Sequence, residues 1–323
     1  MKAAVLKQLG SAPVYSDFED PIPQGDDQVI LNIKAAALKN FDKLRASAGN
    51  YASFRELPVV VGNDGVGTLQ DGTNVYAQGI TGMIAEKAII SKNKFTILPQ
   101  GIDLSLAASL PNALLGSAMA LQTRGKIKTG DVVVINGATG VTGQLAVQLA
   151  KHFGASMVIA TGRNEEGLQK LKTLGADATI SLKGNEETII STLKEISKEN
   201  PVDIVIDYLW GRPVELIIES LKTVGINPNP HKVRIVTVGD MAGHNIALNS
   251  GMLRSSDIEV LGSGFGTFSP KELMEFGAKI LPEMFALAAK GKLKLDTHNE
   301  SIENIGKAWH NKADGKRTVI VIG

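Results

Sequence analysis

The chain has 323 residues, 43% of them hydrophobic, with 34 basic against 33 acidic side chains and a net charge of +1. That length exceeds one ordinary domain and its apolar content can fill two cores, while near-neutral charge without a block of one sign gives no electrostatic basis for nucleic acid or an acidic membrane surface. The absence of cysteine removes disulfides, thiolate nucleophiles and cysteine-containing zinc sites together, which suits a cytoplasmic protein with small-molecule partners.

The first residues lack the apolar core of a signal peptide. From Met1 to about Lys94, short apolar runs (KAAVLKQL, QVILNIKAAAL, VVVGNDGVGTL, NVYAQGI, MIAEKAII) are punctuated by Gly, Asp and Pro. They predict a β domain that closes into a barrel. Lys39 to Ser53 interrupts it with a helical or loop segment rich in polar residues, a place where binding groups tend to sit. Leu104 to Gln122 is uncharged and long enough to raise a membrane question, but Pro111, Asn112 and its serines point to a turn and helix inside a core.

Val132 to Lys151, VVVINGATGVTGQLAVQLAK, joins the near-continuous apolar run of a central parallel strand to a helix through Gly137, Gly140 and Gly143. The spacing is G-x-x-G-x-x-G. It allows a tight turn, brings backbone N–H groups to a diphosphate and lets the helix pack closely on the strand. Strand and helix patterns then alternate: 158–162, 165–174, 178–181, 186–197, 203–209, 213–221, 234–239 and 258–265. Alternation of this kind implies βαβ units in a doubly wound parallel sheet. Pro270 to Lys290 and Ser301 to Asn311 read as helices, and RTVIVIG as a last strand that returns to the first domain. The expected division is 1–116 and 257–323 for the β domain and 117–256 for the nucleotide-binding domain.

In such a sheet the end of the second strand meets the adenosine ribose, where an Asp or Glu holds both hydroxyls of NAD. Here the residues are Gly162, Arg163 and Asn164. The missing acid and the guanidinium both favour a 2′-phosphate, and so NADPH.

Taken together, KNFDKLRASAGNY (39–51), LPVVVGNDGVG (57–67), GMIAEKAII (82–90), LPQGIDLSLAASLP (98–111), GATGVTGQLAVQLAKHFGA (137–155), LGADATI (174–180), VDIVIDYLWG (202–211), VTVGD (236–240) and GSGFG (262–266) resemble the zinc-free medium-chain dehydrogenase/reductases, the quinone oxidoreductase or zeta-crystallin-like branch. The resemblance implies a GroES-like β-barrel domain plus a Rossmann domain with a six-stranded parallel sheet. It also implies hydride transfer from NADPH to a quinone or to the activated C=C of an enal or enone. The five histidines, at 152, 231, 244, 298 and 310, all follow the first barrel segment, so a catalytic zinc of the Cys/His kind is not expected.

Residue by residue, the resemblance puts Asn40 and Asp42 beside the nicotinamide and Thr139, Gly140, Val141 and Thr142 on the diphosphate. Leu209 and Gly211 match the turn after the fourth strand, with an unusual Trp210 between them. Gly239 and Asp240 follow the fifth strand; Ser263, Gly264 and Phe265 line the nicotinamide through their backbone; Arg317 reaches the cofactor from near the C-terminus. Two positions depart from the family pattern. Leu182 replaces an aromatic residue after the third strand, and Leu115-Gly116-Ser117 replaces Leu-Thr-Ala.

Hydride transfer needs the acceptor placed and its developing oxyanion stabilised, with no obligatory protein acid for a quinone. If one side chain helps, Tyr51 is the candidate proton donor; the other reading is a loop tyrosine bonded to backbone. Asn40 either orients the substrate oxygen or serves a turn. No tyrosine has Lys four residues on, which disfavours a short-chain dehydrogenase. The different-class alternative is an NADPH-binding sensor, structural or RNA-interaction protein of crystallin-like type. The edge strand IEVLGSGF predicts a homodimer.

Overall fold

The computed structural model describes residues 1–49, 52–222, 231–311 and 315–323. The N-terminal elements are β1 (Lys2–Leu6), β2 (Val14–Asp17), β3 (Gln28–Ala37), α1 (Asn40–Ala46), β4 (Val59–Val60), β5 (Asp64–Thr68), β6 (Asn74–Gly79), β7 (Lys87–Ile97) and α2 (Leu104–Leu115). Next come β8 (Val132–Asn136), α3 (Val141–His152), β9 (Met157–Gly162), α4 (Glu165–Thr173), β10 (Ala178–Ser181), α5 (Glu186–Glu199), β11 (Ile204–Asp207), α6 (Gly211–Ser220), β12 (Val233–Thr237), α7 (Ser250–Ser255) and β13 (Ile258–Gly262). The chain closes with α8 (Pro270–Glu275), α9 (Leu281–Ala289), β14 (Thr297–Ser301), α10 (Ile305–Ala308) and β15 (Arg317–Val321). It divides into two compact units, Met1–Asn112 with Gly277–Gly323, and Ala113–Phe276.

In the first unit β3 organises the barrel, because successive parts of it pair with different strands. Gln28–Asn32 faces β7, Asn32–Ala35 faces β5, and Ala35–Ala37 faces β15. With β5–β6 and β6–β7 also paired, the ring β3–β5–β6–β7 closes on itself and has no open edge. Leu31, Ile33, Val75, Met83, Ile84 and Ile90 fill the interior together with Ile305, Trp309 and Ile320 from the C-terminal return. Each such buried side chain contributes about 1.5–3 kcal/mol, so the last strand is part of the barrel's stability. The expected terminal strand does return: Val319 pairs opposite Ala37.

The second unit carries a parallel sheet in the order β10-β9-β8-β11-β12-β13, six strands among the described residues. Every residue of β8 is buried, as expected of a strand covered on both faces. The chain steps outward from β8 through β9 to β10, then crosses to the other side of β8 for β11. The carboxyl ends of β8 and β11 therefore flank the switch point where such sheets bind ligands.

Local differences from the expected elements have physical causes. The 270–290 helix contains a wider five-residue turn, Phe276–Ile280, ahead of Pro282, which has no N–H to donate into the helix. The expected 301–311 helix is a 3-10 turn, Ile302–Asn304, followed by the short α10. Leu104–Arg124 is long and apolar enough to cross a membrane by length and composition, and most of it is buried within the fold. Ser109 and Ser117 there donate to Ser105 O and Ala113 O, each at 2.7 Å, which satisfies their hydroxyls inside the core.

Candidate cofactor site

Gly137 leaves β8 with φ +84°, and a Cβ there would lie 2.8 Å from Leu209 Cγ. Only glycine fits both the left-handed backbone and the leucine pressed onto it. Gly143, in the first turn of α3, meets Ala138 Cα at 2.6 Å by the same measure, so this glycine sets how closely α3 lies on the strand. Gly140 is the residue before the helix and has only Gly137 O near its Cβ position, at 3.8 Å. The loop is therefore open on the side where a ligand would approach. The first N–H groups of α3, from Val141, Thr142 and Gly143, lack intrahelical acceptors and point with the helix dipole toward that opening.

Gly162 ends β9, and a Cβ there would lie 2.6 Å from Thr139 Cγ2. Thr139 thus packs over the place where an acidic residue would stand in an NAD site. Arg163, Asn164, Glu165, Glu166 and Lys183 line one open cleft. The Asn164 side chain accepts from Gly167 N at 2.9 Å and caps α4, a local role beyond the one assigned from sequence. Ser181 donates to Glu165. Arg163 and Lys183 are both exposed at this cleft, one after β9 and one after β10. Two cations with no acid at 162 fit a 2′-phosphate. Lys183 was missed in the sequence, although a basic residue directly after the third strand was the signal available.

In the first unit, Asn40 opens α1 and is exposed, whereas Asp42 is buried. The Asp42 carboxylate accepts from Lys39 N at 2.9 Å and from Asn63 N at 3.1 Å, and lies 3.4 Å from the Lys39 ammonium. Lys39 also donates to Ala37 O at 2.9 Å and to Asp64, which accepts a 2.7 Å hydrogen bond from Tyr76. Burial disfavours the Lys39 charge, but Asp42 and Asp64 outweigh it and raise its pKa. Burial raises Asp42 as well, against the pull of Lys39. Tyr76 is pushed well up, first by burial and then by the Asp64 charge.

Arg317 turns into the same cluster. Its Nη1 donates to Leu38 O at 3.3 Å, its Nε is buried without a partner among the described residues, and burial lowers its pKa against the opposing pull of Asp42 and Asp64. Asp42 and Arg317, both assigned to the cofactor from sequence, thus share a buried cluster with Lys39, Asp64 and Tyr76, which sequence reading did not assign to it. The lysine directly before Asn40 was the visible clue.

After β11 the turn runs Tyr208, Leu209, Trp210, with Leu209 N donating to Asp207 at 3.0 Å. Gly239 N reaches Asp207 O at 3.3 Å, and exposed Asp240 pairs with His244 Nδ1 at 2.5 Å. Beyond β13, Ser263 is buried and its hydroxyl has no partner among the described residues, while Gly264 and Phe265 are exposed. An orphaned buried hydroxyl fits a ligand's polar group, so Ser263 offers a side-chain contact as well as the backbone one. Arg124 Nε holds the start of this segment, donating to Gly262 O at 2.8 Å. Tyr51 lies outside the described residues.

A closed GroES-like barrel joined in one chain to a Rossmann sheet with a glycine-turn cradle defines a nucleotide-dependent dehydrogenase/reductase of the medium-chain class. Residues 141–280 match the zinc-binding dehydrogenase family. A probable NADPH-dependent quinone reductase of Emericella nidulans is 26% identical over 99% of this chain and 100% of its own length. The chloroplastic NADPH-dependent alkenal/one oxidoreductase of Arabidopsis thaliana is 34% identical over 70% of this chain and 62% of its own. The quinone oxidoreductase of Thermus thermophilus, whose structures include a complex with NADPH, superposes with a TM-score of 0.77 at 24% identity over 100% of both chains. Over its length the chain is similar to zinc-free medium-chain dehydrogenase/reductases of the quinone oxidoreductase branch. The family match lies outside the barrel segment where zinc ligands would stand, and the sequence has no cysteine to supply them.

Proposed function

We propose that this protein transfers a hydride from NADPH to a quinone or to the activated C=C of an enal or enone. The observation that carries the cofactor is the acid-free end of β9, where Gly162 lies under Thr139 and Arg163 and Lys183 line one cleft. The acceptor class follows the relatives, named for quinone reduction and for alkenal/one reduction. When bound, NADPH supplies the hydride from C4 of its nicotinamide. The chain's own part is to bind and orient. The Thr139–Thr142 backbone and the α3 N-terminus hold the diphosphate, Arg163 and Lys183 hold the 2′-phosphate, and Leu209, Gly239 and Asp240 border the crevice at the switch point. Ser263, Gly264 and Phe265 face the nicotinamide, and Asn40 directs a substrate oxygen. A screen of NADPH oxidation across 1,4-benzoquinone, 2-alkenals and simple aldehydes tests this. Turnover of a quinone or an alkenal supports it, while tight NADPH binding without any turnover points to a sensor or structural role.

Tyr51 is the proton donor to the substrate oxygen in this reading. Tyr51→Phe then lowers kcat for a 2-alkenal by about tenfold or more. An unchanged kcat for alkenals and quinones removes Tyr51 from the mechanism.

The protein is also proposed to act in the cytoplasm, off the membrane and without nucleic acid, as a homodimer paired through β13. That strand has one neighbour among the described residues, β12, and exposes Val260 on its surface. Light scattering gives twice the 34.2 kDa chain mass if so; a monomer refutes it.

A further inference from the structure

Beneath the two turns that flank the switch point, a chain of hydrogen bonds crosses three neighbouring strands at their carboxyl ends. Thr161, on β9, accepts from Gly137 N at 3.3 Å and donates to Asn136 Oδ1 at 2.6 Å. Asn136, on β8, donates through Nδ2 to Asp207 Oδ1 at 2.7 Å. Asp207, on β11, accepts from Leu209 N at 3.0 Å, and its two oxygens lie 3.2 and 3.1 Å from Trp210 N. Asn136, Thr161 and Asp207 are fully or almost fully buried. Each link has a fixed direction, since a carboxylate can only accept and the amide must turn its NH₂ toward it.

Trp210 adopts φ +54° and ψ −159°, an extended positive-φ conformation open chiefly to glycine, which costs a residue with a side chain about 1–3 kcal/mol. Both oxygens of a buried carboxylate on its N–H are the restraint that holds it there. Leu209, gripped by the same carboxylate, is the side chain pressed onto Gly137 at the other turn. The glycine turn and the Trp210 turn are thus tied twice, once by Leu209 above and once by the Thr161–Asn136–Asp207 chain below.

We propose that Asp207 is a positioning residue for the cofactor. Through Asn136 and Thr161 it holds the glycine turn and the 208–211 turn at the spacing NADPH requires. Asp207 itself, buried under both turns, touches no ligand. The proposal rests on the NADPH reading above. Binding of NADPH closes on a cradle already set, so no ordering of the two turns opposes it.

The test is the dissociation constant of NADPH, read by its own fluorescence, for the unaltered protein, Asp207→Asn and Thr161→Val, with folding of each checked by circular dichroism. Loss of hydrogen bonds to a buried charge predicts that Asp207→Asn weakens NADPH binding about tenfold or more, with the rise in KM for NADPH exceeding the fall in kcat. Thr161→Val touches only the far end of the chain, next to Gly137, and weakens binding about threefold by the loss of a neutral hydrogen bond. A role confined to bracing the Trp210 turn leaves Thr161→Val unaffected. NADPH affinity within twofold of the unaltered protein in a folded Asp207→Asn variant overturns the proposal, and so does an unaffected Thr161→Val. If Asp207→Asn does not fold, Asn136→Ala, which cuts Asp207 from Thr161 while leaving the Thr161–Gly137 contact, decides in the same way. An unaltered protein that binds no NADPH overturns the cofactor reading as well; normal binding with insensitive variants overturns only the positioning role.

Discussion

Arg163→Ala raises the KM for NADPH about tenfold while leaving the KM for NADH within about twofold. A charge-assisted hydrogen bond to a phosphate contributes about 1.5–3 kcal/mol, and the exposure of Arg163 puts the expectation at the lower end of that range. Lys183→Ala acts in the same direction, because both cations line the cleft beyond Gly162. If both contact one phosphate, the double variant departs from the product of the single effects, the sign that two groups share a partner. Salt adds a second check: KM for NADPH rises with ionic strength in the unaltered protein and less steeply in Arg163→Ala. Equal losses for NADPH and NADH would sink the assignment. The familiar route to NAD preference, an acid at the end of the second strand, is obstructed here. Gly162→Asp drives its Cβ to 2.6 Å from Thr139 Cγ2, so it disturbs the diphosphate loop unless Thr139 is shortened with it.

The cofactor end was legible in the sequence because its chemistry is local. The glycine turn, the strand before it and the Gly162–Arg163 pair lie within a short span of chain, and backbone geometry there follows from residue type. The barrel was legible as alternation, but its closure was not. Closure depends on β3 pairing with β7, β5 and β15 along its length, and no local pattern encodes three partners for one strand. The assignments around residue 42 were the least transparent. Asp42 lies in the polar segment read as a binding loop, yet its carboxylate faces inward because Asp64 and Arg317, distant in sequence, surround the same buried space. Trp210 was visible as an oddity in the turn after the fourth strand. Its positive-φ backbone, and the carboxylate that holds it, needed coordinates.

That buried space carries the second large effect. Lys39, Asp42 and Asp64 are each more than nine-tenths buried, and the Lys39 ammonium bridges the two carboxylates. Removing one partner of such a cluster leaves a charge without compensation and costs about 3–5 kcal/mol, whereas replacing the whole cluster by neutral groups is much less damaging. Lys39→Met therefore lowers the stability of the barrel by about 3–5 kcal/mol near pH 8. The cost is smaller in acid. With the ammonium gone, Arg317 alone faces two carboxylates, and burial already raises the Asp42 pKa. One carboxyl then binds a proton in the folded state at pH values where the unfolded chain, with a carboxyl pKa of about 3.9, has lost it. A folded pKa above the unfolded one means stability is full below about pH 4 and declines as pH rises through the folded value. The unaltered barrel, with Lys39 in place, shows a weaker decline over the same window. Lys39→Met with Asp64→Asn, which leaves Arg317 facing Asp42 alone and the cluster neutral, recovers most of the loss. The measurement is urea unfolding followed by Trp309, which lies in the barrel core, in a Trp210→Phe background that leaves it the only tryptophan. A loss under about 1 kcal/mol, or one that does not change between pH 5 and pH 8, would show that the cluster does not hold its charges as the geometry requires.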